Sequence, residues 1–204
     1  MRKIVLALAG LALIASPAFA GKYNKTVSVG EKAPTFSGIP AVLGSQDTSL
    51  SLSDIKEDVV VVVFLANHCP VVLASDDRLI EFANAYNKEK GKSVKVIGLA
   101  VSRMNEDQLP GIKSHIKAKS IPYIYGYDES QVVGKAYGAT ATPQCFVLDK
   151  DRVIRYMGSM DDSPNVESKV QKTYLKNAVD ALLAGKTIEE TETRPVGCGI
   201  SYSK

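Results

Sequence analysis

Residues 57–72 read "EDVVVVVFLANHCPVV". Five consecutive valines followed by Phe64 and Leu65 form an apolar run without alternation. A run this short and this rich in β-branched side chains predicts a strand over residues 59–65 that is buried on both faces. After Cys69 the pattern changes. Val72, Leu73, Leu79, Ile80, Phe82, Ala83 and Tyr86 recur at three- and four-residue spacing among Asp76, Asp77, Arg78 and Glu81, predicting an amphipathic helix over residues 70–88 that ends in the basic stretch "KEKGKS" with Gly91. Cys69 thus falls where a buried strand hands over to a helix. First-turn amides have no intrahelical partner, and the helix dipole favours negative charge beside them, so this position stabilises a thiolate and makes the sulfur nucleophilic. Pro70 suits a first helical position, because the donor it lacks would have been unbonded there.

Working outward, residues 94–102 predict a second buried strand, followed by a polar helical segment over 105–120 interrupted at Pro110 and Gly111. Residues 123–128 read as a short strand and 130–139 as a short helix closed by Gly138. "QCFVLDKDRVIRYMG" alternates like two strands joined at "DKD". Residues 165–185 predict a final amphipathic helix, and the remaining tail is polar enough to lie on the surface. Ahead of the first long strand come an arm over 21–37, carrying Pro34, and a short strand and turn over 50–55. Strands separated by helices imply parallel pairing with right-handed crossovers, and the late hairpin adds antiparallel strands. The expected fold class is α/β, a mixed sheet flanked by helices, in one domain over residues 21–204.

The first 20 residues stand apart. Arg2 and Lys3, an apolar core and Ala18-Phe19-Ala20 have the form of a secretory signal cleaved before Gly21. Its apolar stretch is too short to span a bilayer comfortably, and no later stretch is long and uncharged enough to do so. The expectation is an exported protein, in a bacterial periplasm, with no membrane attachment after cleavage. The leader also holds two of the basic residues, so the net charge of +3 falls to +1 without it, and no electrostatic footprint for nucleic acid remains. With 45% hydrophobic and 23% charged residues, the chain has the composition of a folded domain rather than a disordered one. Three cysteines, Cys69, Cys145 and Cys198, are too few and too widely spaced for a disulfide-stapled scaffold.

The segment "VVVVVFLANHCPVV" resembles the active-site region of thioredoxin-fold proteins, in which an apolar strand leads to a nucleophilic cysteine at the start of a long helix. "VGEKAPTFSG" resembles the entry segment of the redoxin and peroxiredoxin (AhpC/TSA-type) branch, and "YGATATPQCFVLDKDRVIRYMG" the segment that carries its cis-proline. The resemblance implies a thioredoxin-like fold, Cys69 as nucleophile, and Thr142 with Pro143 as the loop facing it and shaping the substrate groove, with Pro70 beside the thiol. It implies a thiol oxidoreductase acting on a peroxide or on a protein or small-molecule disulfide, reset by an external thiol donor and needing no cofactor. Two departures stand out. Val72 replaces the second cysteine of Cys-x-x-Cys, and Ala66 and Val62 occupy the positions of the peroxiredoxin threonine and proline. Arg152 and Arg155 lie at about the spacing of the peroxiredoxin arginine.

Cys198, in "RPVGCGISYS", is the candidate resolving partner, on a glycine-flanked tail able to swing onto an oxidised Cys69. The sequence leaves three readings open: a catalytic pair, a structural pair that pins the tail, and no pair. Cys145, on a strand, reads as core packing or as an alternate partner. His68 reads either as a proton shuttle beside the thiol or as a polar filler. His115, Asp76 and Asp77, and the acidic "EETE", read as solvated. A non-catalytic binding or chaperone module with a structural disulfide is the alternative function. Copper handling through His68, Cys69, Cys145 and Cys198 is a further one, lacking the close thiolate pair such a site uses, so no metal site is expected.

Overall fold

The computed structural model describes residues 21–88 and 94–203. The expected leader, residues 1–20, and the basic helix end around Gly91 lie outside the described residues. In chain order the elements are β1 (Ile39–Leu43), β2 (Gln46–Leu50), β3 (Val59–Leu65), α1 (Pro70–Lys88), β4 (Val94–Ala100), α2 (Leu109–Lys119), β5 (Ile124–Tyr127), α3 (Val132–Tyr137), β6 (Ala141–Thr142), β7 (Gln144–Leu148), β8 (Ile154–Gly158), α4 (Tyr174–Leu183) and β9 (Cys198–Gly199). Seven strands form one sheet in the order β2-β1-β5-β4-β3-β7-β8. β3 pairs with β4 and β4 with β5 in parallel, while β1–β2, β1–β5, β3–β7 and β7–β8 are antiparallel. This is the mixed sheet of a thioredoxin-like fold.

β3 is an interior strand, between β4 and β7, and every residue in it is buried. Successive side chains alternate faces. Val59, Val61, Val63 and Leu65 join the core that includes Leu79 and Ala83 of α1, Ile112 and Ile116 of α2, and Leu175 and Val179 of α4. Val60, Val62 and Phe64 join the opposite core, with Val133 and Tyr137 of α3 and with Val27, Ala33 and Phe36 of the entry arm. Phe64, Tyr137 and Phe146 meet edge to face there, with centroids 5.2–5.7 Å apart, the geometry that aromatic quadrupoles favour.

The structure departs from several expectations. In the β1–β2 hairpin the apolar β1, with Ala41 and Val42 buried, pairs with a polar, largely exposed β2, and Gly44 adopts φ 60° at the turn. Residues 50–55 hold only the end of β2 and a 3-10 turn over Leu52–Asp54. Pro110 lies in the first turn of α2 and begins the helix instead of interrupting it. The last helix spans only Tyr174–Leu183. Upstream of it, the Asp162 carboxylate accepts from the backbone N–H groups of Gln171 and Lys172 at 2.9 and 3.1 Å, and Arg78 donates to the Pro164 carbonyl at 3.0 Å, so this stretch is tied down as a loop. Asp76 is buried and pairs with the His115 Nε2 at 2.7 Å, joining α1 to α2, so neither is solvated, while Asp77 is exposed as expected. Glu192 of the acidic tail accepts from the backbone amides of Lys22, Tyr23 and Asn24. The tail first runs along the β8 edge, where the Thr191 carbonyl accepts the Met157 N–H at 3.1 Å and Thr193 donates its N–H to the Met157 carbonyl at 3.0 Å.

Replacing Phe64 by Ala would empty the aromatic cluster behind β3. The expected loss is about 3–5 kcal/mol of unfolding free energy, read from urea denaturation as a lower midpoint.

Candidate active site

β3 ends at Leu65, and the chain turns through Ala66 to His68 before α1 begins. The Cys69 N–H closes this turn on the Ala66 carbonyl at 2.9 Å, and the Leu73 N–H bonds the Cys69 carbonyl at 3.0 Å as the helix starts. Cys69 is fully buried, and Pro70 is the first residue of α1. Facing the sulfur is the loop after β6, where the Thr142–Pro143 peptide bond is cis. The Thr142 carbonyl oxygen lies 3.3 Å from the Cys69 Sγ. In a disulfide that sulfur has no proton to donate, so this is a contact and not a hydrogen bond.

Cys69 and Cys198 are joined in a disulfide across 129 residues of sequence, with Cα atoms 6.0 Å apart. The tail reaches Cys69 because β9 runs antiparallel to β6, with Thr142 opposite Cys198 and Ala141 opposite Gly199. The Ile200 N–H extends this pairing to the Thr140 carbonyl at 3.0 Å. Gly197 must lack a side chain, since a Cβ there would collide with the Thr142 carbonyl. Behind the loop, the buried Gln144 carboxamide oxygen accepts from the Thr140 N–H at 2.9 Å and holds the turn in place. The tail is therefore a docked strap, not the free arm its composition suggested.

His68 is partly exposed, and its Nδ1 donates to Oδ2 of Asp107, a carboxylate that is itself fully buried. The other Asp107 oxygen accepts the Asn67 N–H. Asn67 donates its side-chain amide to the Glu106 carbonyl at 2.7 Å and accepts from the Tyr125 hydroxyl at 2.9 Å. With Nδ1 engaged by Asp107, Nε2 is the ring nitrogen left for other partners. His68 lines a groove of about 520 Å³ together with Ser102, Arg103, Met104, Thr142 and Tyr202.

Cys145 lies on β7 opposite Val63 and Gly158, fully buried and unpaired. Burial pushes its thiol well above the ordinary range, and the Asp161 carboxylate adds to the shift. Arg152 lies in the hairpin turn and Arg155 near the start of β8, by the end of β7 that pairs with Val60, at the opposite end of β3 from Cys69. The Arg152 guanidinium bonds the carbonyls of Ile55, Glu57 and Asp149, and that of Arg155 bonds the Asp149 carboxylate. Neither is an activating arginine for Cys69. Among the described residues no three His, Cys, Asp or Glu side chains gather as a metal-binding group.

Asp107, Gln144 and Gly197 were not singled out in the sequence. Asp107 sits in a polar stretch beside Glu106 with no periodic signal to set it apart, and Gly197 shows its role only once the tail is seen against Thr142.

Two outcomes follow. Reducing the Cys69–Cys198 bond removes a constraint on a very long loop, so unfolding free energy should fall by about 2–5 kcal/mol, measured by denaturation with and without reductant. Alkylation of the reduced, folded protein should modify Cys198 and leave Cys145 unmodified until denaturant is added, as read by peptide mass.

The Redoxin family model matches residues 28–175. An uncharacterized conserved protein from Geobacillus kaustophilus is 31% identical, over 86% of this chain and 93% of that one, with a TM-score of 0.77. A hypothetical protein from Sinorhizobium meliloti 1021 is 30% identical, over 88% and 97%, with a TM-score of 0.78. A putative thiol:disulfide interchange protein DsbE from Chlorobium tepidum shares the fold at 19% identity, over 77% and 99%, with a TM-score of 0.58. No curated protein matches the chain. With its model spanning the sheet from the entry arm to the start of α4, the chain belongs to the Redoxin family.

Proposed function

We propose that the protein is an exported thiol oxidoreductase that exchanges disulfides, with Cys69 as nucleophile and Cys198 as resolving cysteine. The observation that carries this reading is the placement of both sulfurs, in one disulfide, at the first turn of α1 against the Thr142–Pro143 loop. In the reduced protein the Cys69 thiolate attacks one sulfur of a substrate disulfide, forming a mixed disulfide and releasing the other substrate sulfur as a thiolate. Cys198 then attacks Cys69, forming the intramolecular bond and releasing the second substrate thiolate. The substrate gains two electrons, and an external thiol donor returns the protein to its dithiol form. His68, held by Asp107, accepts the proton as a thiol ionises and returns it to a leaving thiolate. Pro143 and Pro70 border the approach to the sulfur.

A disulfide substrate is favoured over a peroxide by the same residues. Ala66 and Val62 offer no hydroxyl or proline at the positions a peroxiredoxin uses, and the arginines of the hairpin are engaged elsewhere. Export is supported by the form of residues 1–20 and by the disulfide itself, which persists in oxidising compartments. Among the described residues, no helix is long and apolar enough to cross a membrane. The Chlorobium tepidum neighbour, described as a putative thiol:disulfide interchange protein, offers a parallel in fold.

A second reading, a binding module in which the disulfide is a permanent staple, is favoured by the complete burial of Cys69. Reaction of the reduced protein with a fluorogenic disulfide peptide separates the two. Exchange that vanishes in Cys69→Ser, and stalls in Cys198→Ser as a mixed disulfide on Cys69, is expected. Equal rates for wild type and Cys69→Ser would establish the staple. Hydrogen peroxide consumption above that of Cys69→Ser would move the substrate assignment to peroxide.

A further inference from the structure

The chain end beyond Cys198 is held by groups that take no part in the disulfide. Gln131, at the start of α3, is 1% exposed and sits at φ 61°, a left-handed conformation uncommon for a residue with a side chain. Its amide has two N–H donors and an oxygen with two lone pairs, and all four are used. Nε2 donates to the Val101 carbonyl at 2.8 Å and to the Ser201 carbonyl at 3.0 Å. Oε1 accepts from the Ser203 N–H at 2.8 Å and from its hydroxyl at 3.0 Å. Three of these bonds go to the chain end, and the fourth ties it to the residue that follows β4. Nearby, the Tyr202 hydroxyl donates to the Ala139 carbonyl at 2.8 Å and lies over Gly134, where a Cβ would sit 2.7 Å from that oxygen. On the other side of Cys198, the Ser159 hydroxyl donates to the Arg194 carbonyl at 2.8 Å and accepts the Val196 N–H at 3.2 Å.

We infer that Gln131 is a positioning residue that latches the chain end, so that the Cys198 thiol stays docked beside Cys69 when the disulfide is open. The inference rests on the thiol-exchange reading above and names how its resolving step is made fast. Breaking the S–S bond leaves every anchor just described intact. Release of the strap would strip a buried amide of three partners, an unfavourable change that opposes swinging. A thiol held this way reacts as a neighbour already in place, whereas one on a free tail must first be brought back by diffusion.

Two measurements on the full mature chain test the latch, and neither requires turnover of a substrate. The first is amide hydrogen exchange on the reduced protein. Protection of the Ile200 and Ser203 amides is expected in the wild type, and its loss in Gln131→Leu, with β3 and β4 still protected. Because the wild-type result needs no variant, the inference stays open to refutation even if Gln131→Leu folds poorly. The second is titration in glutathione buffers, in which the Cys69–Cys198 bond and two glutathione thiols exchange for two protein thiols and one glutathione disulfide. Gln131→Leu should lower the effective concentration of Cys198 about tenfold, which is roughly 30 mV for a two-electron couple. Gln131→Glu, which keeps the acceptor for Ser203, should recover part of the loss. A merely structural defect weakens the oxidised and reduced forms alike and leaves this ratio unchanged. Unprotected Ile200 and Ser203 amides in the reduced wild type, or a Gln131→Leu titration within twofold of wild type, would overturn the latch. Failure of peptide reduction alone would bear on the proposed function and leave the latch standing.

Discussion

The structure depends on a strand that water never reaches. β3 buries all of its residues and serves two hydrophobic cores at once, α1, α2 and α4 on one face and α3 with the entry arm on the other. Burying an aliphatic side chain contributes roughly 1.5–3 kcal/mol, and a one-residue slip would move every β3 side chain into the wrong core. The end of β3 is therefore fixed in space. Cys69, four residues beyond Leu65, inherits that fixity, as does the helix start that surrounds it.

The second constraint comes from the far end of the sequence. Strand β6, just before the cis-proline, presents a backbone edge at residues 140–142, with the Thr140 carbonyl open to a donor, and an unpaired edge is a template for another strand. Here the approaching strand is the chain's own tail. The pairing is short, so it is reinforced outside the ladder by side chains of α3 and β8's flank, Gln131 and Ser159. Covalent bond, ladder and side-chain anchors all act on a stretch of a few residues, which is why a polar, glycine-rich segment is ordered.

The architecture around Cys69 was legible because it rests on local patterns: an apolar run, a helical period, a proline at a first turn. The bounds of β3 and α1 follow directly from them. Where the outcome is decided by contacts distant in sequence, the local reading misleads. Residues 165–173 have helical spacing, but Asp162 and Arg78 hold them as a loop. Asp76 and His115 look like solvated charges, yet each buries the other. The tail does lie at the surface, as its polarity implies, with Thr193 buried, but nothing in its composition announces its pairing with the backbone of the Thr140–Thr142 loop. Asp107 went unseen because a carboxylate that orients a histidine across 39 positions leaves no mark on its neighbours in sequence.

The seclusion of Cys145 has a consequence for how the protein acquires its disulfide. A chain is made from its amino end, so Cys69 and Cys145 both emerge well before Cys198. For that interval the only intramolecular pairing open to Cys69 is the wrong one. β7 pairs with β3 and carries Cys145 into the sheet interior, opposite Val63, away from solvent and any soluble oxidant. In the completed sheet the competitor is shut away from solvent, and Cys69 and Cys198 are the two of the three sulfurs that are joined.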